Sequence, residues 1–405
     1  MPPDDTLRVR LAPAISAIDP ASWDACANPA PESIREVADS DSQDETYNPF
    51  ISFAFLSALE DAGCVCGATG WAPAHLVAED AQGRIAGCAP AYLKNHSQGE
   101  YVFDHGWADA YERAGGSYYP KLQVSVPFTP VTGRRLLARP GDTAGRAADA
   151  LGAALLTAMR RLEASSVHAT FLTAGEQDRL GALGWLARLD TQYHWLNEGY
   201  GSFEDFLGAL ASRKRKLIRR ERRDALAEGI TIHRITGAEL REEHWDAFHA
   251  FYQDTGSRKW GRPYLNRTFF SLLGERMAGR ILLVMARRDG RWIAGALNLI
   301  GDTALYGRNW GAVEDHPFLH FEACYYQAMD FAIERGLARV EAGAQGEHKL
   351  LRGYRPSITR SAHAFADPAL ARAVDDFLKR ERRATEAEAR MLAEHLPFRQ
   401  EGRDG

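Results

Sequence analysis

Cysteine is scarce in this chain, five residues among 405. Of Cys26, Cys64, Cys66, Cys88 and Cys324, only Cys64 and Cys66 are close together, and no second close pair completes a zinc cage. An odd and sparse set of thiols also gives no disulfide framework and suits small core residues in a reducing compartment, so a cytoplasmic location is expected. Long apolar runs are equally lacking. The longest, such as Ile281 to Ala286, fall far short of the roughly 20 residues that a membrane span needs. Asp4, Asp5, Pro13, Asp19 and Pro20 interrupt any secretory leader, and none is expected. Nor does one sign of charge prevail: 49 Lys+Arg against 54 Asp+Glu leave a net charge of -5. That excludes a polycation built to coat nucleic acid, so any anion site must be local.

What is present is an ordinary globular composition, 45% hydrophobic, 10% aromatic and 25% charged, in a chain long enough for two or three domains. An internal echo organises it. Leu76 to Leu93 reads LVAEDAQGRIAGCAPAYL, and Leu283 to Ile300 reads LVMARRDGRWIAGALNLI. Each is an apolar run, a turn with Asp or Gln beside Gly, then Arg, Ile-Ala-Gly and a second apolar run, which is the pattern of a β-hairpin. A further aromatic strand ending in Trp is expected after each, at Tyr101–Trp107 and at Ala304–Trp310, the latter carrying Arg308. The first half continues with a strand-like LQVSVPF and a helix over 143–164. A strand SVHATFL comes next, then a short helix over 176–183, Gly184-Trp185 and a strand at 192–196. The second half continues with a helix over 320–335, a strand LARVEAGA, a short basic helix over 348–352, Gly353-Tyr354 and a strand near 361–365. A period of about 200 residues indicates a duplicated domain, because solenoid periods run about 20 to 50.

Hairpins feeding a strand–helix–strand crossover predict an α/β (α+β) layer architecture. The polar, Gly-rich NEGYGS at 197–202 marks the join. The expected division is an N-terminal extension over 1–45, a first domain over 46–198, a second over 199–368, and a terminal helix and tail over 369–405. Leu370, Val374, Phe377 and Leu378 give that last segment helical spacing.

This element order resembles the Gcn5-related N-acetyltransferase (GNAT) superfamily in tandem, and within it the bacterial FemAB-like proteins of the peptidoglycan biosynthesis or recognition type. The residues that carry the resemblance are NPFISFAFLSALE (48–60), GEYVFDHGWADAYERAGGSYYPKLQVSVPFTPVTG (99–133), HFEACYYQAMDFAIERGL (320–337) and EAGAQGEHKLLRGYRP (341–356). It implies two GNAT-like domains and transfer of an acyl or aminoacyl group to an amine by direct attack. The implied acceptor is a small-molecule or peptide amine. Acyl-CoA is the implied donor and aminoacyl-tRNA the alternative, and no metal is implied. A clean Q/R-x-x-G-x-G/A acetyl-CoA signature is absent from both halves, and so is the coiled-coil arm of some tRNA-using relatives. A non-catalytic module that binds a peptidoglycan-like or acylated ligand is the competing reading.

Acyl transfer needs a neutral amine, a carbonyl within reach, donors for the developing oxyanion and a proton for the leaving group. The densest cluster of suitable groups is Glu341, Gln345, Glu347, His348, Lys349 and Arg352, at the C-terminal end of an expected strand, where open α/β sheets bind ligands. His348 suits a base, with Glu341 or Glu347 as its orienting acid or its replacement. Upstream, His320, Glu322, Tyr325 and Tyr326 open the long helix, the last three sharing a face at i, i+3 and i+4. They read either as a base (Glu322) and a tyrosine that protonates the leaving group, or as a capping acid with packed aromatics. Arg134 and Arg135, in VPFTPVTGRRL (126–136), read as a phosphate-lining loop or as a rigid surface turn. The run from Arg213 to Arg223 holds eight cations, Lys216 and Arg219 among them, and one acid, Glu221. It reads as an amphipathic helix whose cationic flank either contacts tRNA or another phosphorylated group or is merely solvated.

Overall fold

The structure is a computed structural model and describes residues 7–30, 47–141, 143–258, 263–343 and 346–399; for Ser257, Arg258 and Glu347 it describes the backbone alone. The chain forms two compact units, Met1–Asp190 with Thr359–Glu386, and Thr191–Ile358 with Ala387–Gly405. The first holds strands β1 (Arg8–Ala12), β2 (Trp71–Pro73), β3 (His75–Glu79), β4 (Ile85–Ala89), β5 (Ala91–Lys94), β6 (Lys121–Val124), β7 (Leu137–Ala138) and β8 (Ser166–Leu172). β9 (Leu186–Leu196) leads the chain into the second unit, with β10 (Thr231–Thr236), β11 (Ile281–Arg288), β12 (Arg291–Ile300), β13 (Ala304–Ala312) and β14 (Arg339–Glu341). β15 (Arg355–Phe365) returns it to the first.

Both expected hairpins are present, as β3–β4 and β11–β12. Asp289 and Gly290 both adopt positive φ (48° and 77°) in the second turn, the Asp-Gly arrangement whose twist matches that of the strands. Asp80 closes the first turn by accepting from the main-chain N–H of Gln82 and of Arg84.

In the first unit a four-stranded sheet runs β1-β3-β4-β7, and a second sheet runs β2-β5-β6-β8 and then the Arg360–Phe365 part of β15. The helix Ala144–Arg161 supplies Leu151, Leu155, Ala158 and Met159 at helical spacing against Leu76, Ala89, Val167 and Leu172, one apolar stripe on one apolar face. The second unit is a single mixed sheet, β10-β11-β12-β13-β14, closed by residues 194–196 of β9. Its core gathers Trp195, Phe206, Leu282, Val284, Tyr326, Met329 and Val340. The repeat is visible in the pairing. An antiparallel pair (β5–β6, β12–β13) is followed by a parallel one (β6–β8, β13–β14) and then an antiparallel one (β8–β15, β14–β9). The last strand of each sequence repeat thus closes the sheet of the other unit.

One expected strand is absent. Tyr101–Trp107 is not extended: Gly99 and Tyr101 turn the chain with positive φ, and Trp107 enters the helix His105–Arg113. There it packs with Tyr118, Leu370, Val374 and Leu378. The third strand of the first repeat is β6 instead, and beneath the Ser97–Asp104 loop lies a buried ionic cluster that the sequence did not announce. Lys121 Nζ donates to Glu100 at 2.9 Å and to Asp104 at 2.6 Å, while Lys94 lies 2.9 Å from Glu100. Burial pushes the Lys94 ammonium down to about 7.

Two local features shape the second unit. β13 and β14 are paired only over Ala304–Tyr306 and Arg339–Glu341. β13 then continues to Ala312 on β12 alone, so the parallel strands part after Gly307. The next helix runs Leu319–Phe321, then a π turn Glu322–Tyr326, then Gln327–Glu334. Such a turn widens the helix by one residue and rotates the turns beyond it.

Candidate active site

The expected short helix forms as a 3-10 turn, Glu347–Arg352, and places His348 against the π turn, where Tyr325 Oη lies 2.9 Å from His348 Nε2. Gly346 holds φ 118°, a backbone conformation that favours glycine, and a Cβ there would press on the imidazole at 2.5 Å. Phe321 stacks on Tyr325 at 5.9 Å. His320 touches four rings, with centroids 5.3 Å from Trp310, 5.6 Å from Phe321, 5.3 Å from Tyr325 and 6.4 Å from His348. Trp310 and His320 also line a cavity of about 210 Å³ together with Thr255, Ala312, Asp315 and His316. The aromatic cluster therefore has an open side at the end of β13.

Burial, then the Arg352 and Lys349 charges, lower the His348 pKa from its ordinary value, so the ring is neutral at pH 7 and accepts a proton. Burial raises that of Tyr325, whose hydroxyl stays protonated. Lys349 is buried and donates to Gly343 O at 3.0 Å, and burial pushes it down to about 8.

The helix Ser212–Ala225 braces this arrangement. Glu221 is buried and accepts from Arg352 Nη2 at 2.7 Å, Arg352 Nε at 3.1 Å and Tyr326 Oη. Arg352 Nη1 donates to His348 O at 2.8 Å, and the guanidinium lies 3.5 Å over the Phe321 ring. Arg222 grips Glu322 through Nε (3.1 Å) and Nη2 (3.0 Å) and reaches Asp330 at 2.7 Å, and Gln327 Nε2 donates to Glu322 at 2.7 Å.

These bonds redistribute the expected roles. Glu322, Tyr325 and Tyr326 do not share a face, because the π turn sends Tyr325 to His348 while Glu322 and Tyr326 bond the basic helix. Glu322 is 0% exposed and fully engaged, so it is not placed as a base. Glu341 is buried on β14, 2.9 Å from Arg339 Nε and 3.7 Å from His194, and makes no bond to His348. Among the described residues its Oε2 has no hydrogen-bond partner. His194, on β9, carries no sequence signal, since only the exchanged strand brings it there. Arg308 and Trp310 lie on β13 beyond the last β14 pair. Gln345 falls outside the described residues, and of Glu347 the backbone alone is described.

Arg134 and Arg135 are both bonded to neighbouring main-chain carbonyls. Arg135 is buried and donates to the carbonyls of Thr170, Val131 and Arg134, while Arg134 donates to those of Cys26 and Ala27. Glu176 holds the same turn by accepting from the main-chain N–H of both Arg135 and Leu136. On the basic helix Arg219 pairs with Glu204. Arg213, Lys214, Arg215 and Lys216 have no ion-pair partner among the described residues. Three cations in the first turn, Arg213, Lys214 and Arg215, oppose the helix dipole by about 0.3–1 kcal/mol each, Lys216 follows at once, and Ala211 offers no side-chain cap. The segment is poorly arranged for stability and well arranged for a polyanion. Among the described residues no helix is long and apolar enough to cross a membrane.

The family of FemAB-like proteins, described as peptidoglycan biosynthesis/recognition, matches residues 14–400. The fold is similar to that of the solved structure titled FemX, at TM-score 0.52 and 12% identity over 88% of this chain and 98% of that one. It is also similar to a conserved protein of unknown function from Bacteroides thetaiotaomicron, at 0.51 and 13% over 89% and 100%. A tandem GNAT protein from the clavulanic acid biosynthesis pathway stands at 0.45 and 14% over 90% and 99%. At these identities the likeness shows the fold alone, and that fold is the one shared with the FemX structure. No curated protein matches the sequence.

Proposed function

The chain belongs to the FemAB-like family, and on that premise we propose that it is an N-acyltransferase that moves an acyl or aminoacyl group from an activated donor to an amine by direct attack. The observation that carries this reading is the Tyr325–His348 pair beside the parting strands β13 and β14. The amine nitrogen attacks the donor carbonyl carbon, forming C–N as the donor C–S or C–O bond breaks. The amine proton passes to Tyr325 Oη while the hydroxyl proton moves to His348 Nε2, and the reverse relay delivers one proton to the leaving sulfur or oxygen. Protons balance, and no covalent enzyme intermediate forms. The edge of β13 beyond Gly307, no longer paired by β14, is the place for the oxyanion.

The cations Arg213–Lys216, which have no ion-pair partner among the described residues, support a donor rich in phosphate. Glu314 and Asp315 favour the aminoacyl-tRNA alternative over acyl-CoA. They precede the helix that begins at Leu319 and line the cavity there, where carboxylates repel a pyrophosphate. Family membership makes a peptidoglycan-precursor amine the acceptor of first choice. Mass spectrometry of candidate acceptors incubated with acyl-CoA thioesters or aminoacyl-tRNA is the test. A gain of one acyl or aminoacyl residue on the acceptor, with the protein mass unchanged, is expected. Tight binding without product under every donor would establish the binding-module reading instead.

A further inference from the structure

One buried carboxylate joins the basic helix to the His348 segment. Glu221, 3% exposed, is the single acid between Arg213 and Arg223, and both its oxygens are taken by Arg352 and Tyr326. Arg352 in turn holds the main-chain oxygen of His348 and lies on Phe321, which stacks on Tyr325. Burying an ion pair carries a desolvation penalty that a packed apolar pair would avoid, so its value here is geometric. Lys216 and Glu221 stand five residues apart, about 7.5 Å along the helix axis. The helix moves as one body over that distance. Its next residue, Arg222, fastens the same helix to Glu322 in the π turn and to Asp330 in the helix Gln327–Glu334 that follows.

We propose that Glu221 is a positioning residue through which occupancy of the Arg213–Lys216 anion surface sets the placement of His348 and Tyr325. A phosphate-bearing donor seated on the first turn shifts the helix, Glu221 carries the shift to Arg352, and Arg352 carries it to the His348 main chain. Donor binding thereby adjusts a relay whose two partners already lie within hydrogen-bond distance. This rests on the reading that His348 acts in transfer. Energetic coupling of this kind requires a physical element that both sites bias, and the Glu221–Arg352 clamp is that element.

The experiment uses the full chain and inorganic polyphosphate as the probe, with the imidazole Cε1–H resonance of His348 followed by NMR after assignment with His348→Gln. In the native protein polyphosphate should bind, by calorimetry, and move that resonance. In Glu221→Gln the affinity should stay within about twofold while the movement disappears, and Arg352→Lys should do the same should Glu221→Gln not fold. Tyr326→Phe, which leaves Arg352 held by Glu221, should keep the movement. In turnover assays Glu221→Gln should lower kcat about tenfold with the KM for the amine unchanged. The proposal is overturned if polyphosphate does not bind, if it binds and leaves His348 unmoved, or if the movement survives in Glu221→Gln. The binding and NMR readouts need no turnover, so a protein that transfers nothing yet shows the coupled movement would sink the transfer reading and leave the clamp standing.

Discussion

Replacing Glu322 by Gln separates a structural acid from a catalytic one. The native carboxylate is fully buried and accepts three hydrogen bonds, two from Arg222 and one from Gln327. Glutamine keeps the shape but loses the charge. Its amide nitrogen must also face a donor, either Arg222 or Gln327, so at least one bond becomes a donor–donor contact. Arg222 retains Asp330 at 2.7 Å, which limits the damage. Breaking one partner of a buried pair costs about 3–5 kcal/mol, and the surviving Asp330 contact places this change near the lower end. For a unit of this size each kcal/mol moves the midpoint by about 2–4 °C, so thermal unfolding followed by circular dichroism should fall by about 6–12 °C. At a temperature where the variant is folded, kcat should stay within about threefold of native. A variant with unchanged stability, or one that is folded and loses a hundredfold in kcat, would refute the reasoning and restore Glu322 as a base.

Other consequences are as direct. Because His348 must be neutral to accept a proton and its pKa lies below the ordinary histidine value, kcat/KM should be flat near pH 7–8. It should fall as pH drops through that depressed pKa, and a profile that declines already at pH 7 would contradict the assignment. Arg135→Met leaves three carbonyls without their donor and uncovers the Glu176 charge, so the first unit should lose about 3–5 kcal/mol in urea titrations; a loss below about 1 kcal/mol would return Arg135 to the surface-loop reading. Removing Lys216 or Arg213 should lower the slope of log affinity for tRNA against log salt by about one, and an unchanged slope would show that the first turn of the basic helix does not touch phosphate.

The parts of the fold that the sequence made legible are those governed by local chemistry. Asp289-Gly290 and Asp80 to Gly83 mark their hairpins because few residues tolerate those turns, and the stripe Ala148, Leu151, Leu155 and Met159 repeats at a helix period. Long-range pairing is what escaped. Lys94 and Lys121 carry no local signal of burial, since nothing near them in sequence announces that Glu100 and Asp104 fold over them. Tyr101–Trp107 has strand-like aromatics, yet the conformation is decided by Gly99 and by a partner helix some 260 residues onward. In the site, His348 and Tyr325 are visible as residue types with suitable chemistry, but their contact depends on the π turn, which no periodicity reveals. Glu221 reads as the odd acid in a basic run, although its burial makes it the residue that ties that run to His348.

The most direct test of the account is single-turnover transfer by the native protein, His348→Ala and Tyr325→Phe, with donor saturating and the acceptor followed by mass spectrometry. His348→Ala should slow the chemical step by about 10²–10⁴, and Tyr325→Phe should slow it comparably, both with acceptor binding retained. Turnover at the native rate by either variant would contradict the proton relay on which the proposed reaction depends.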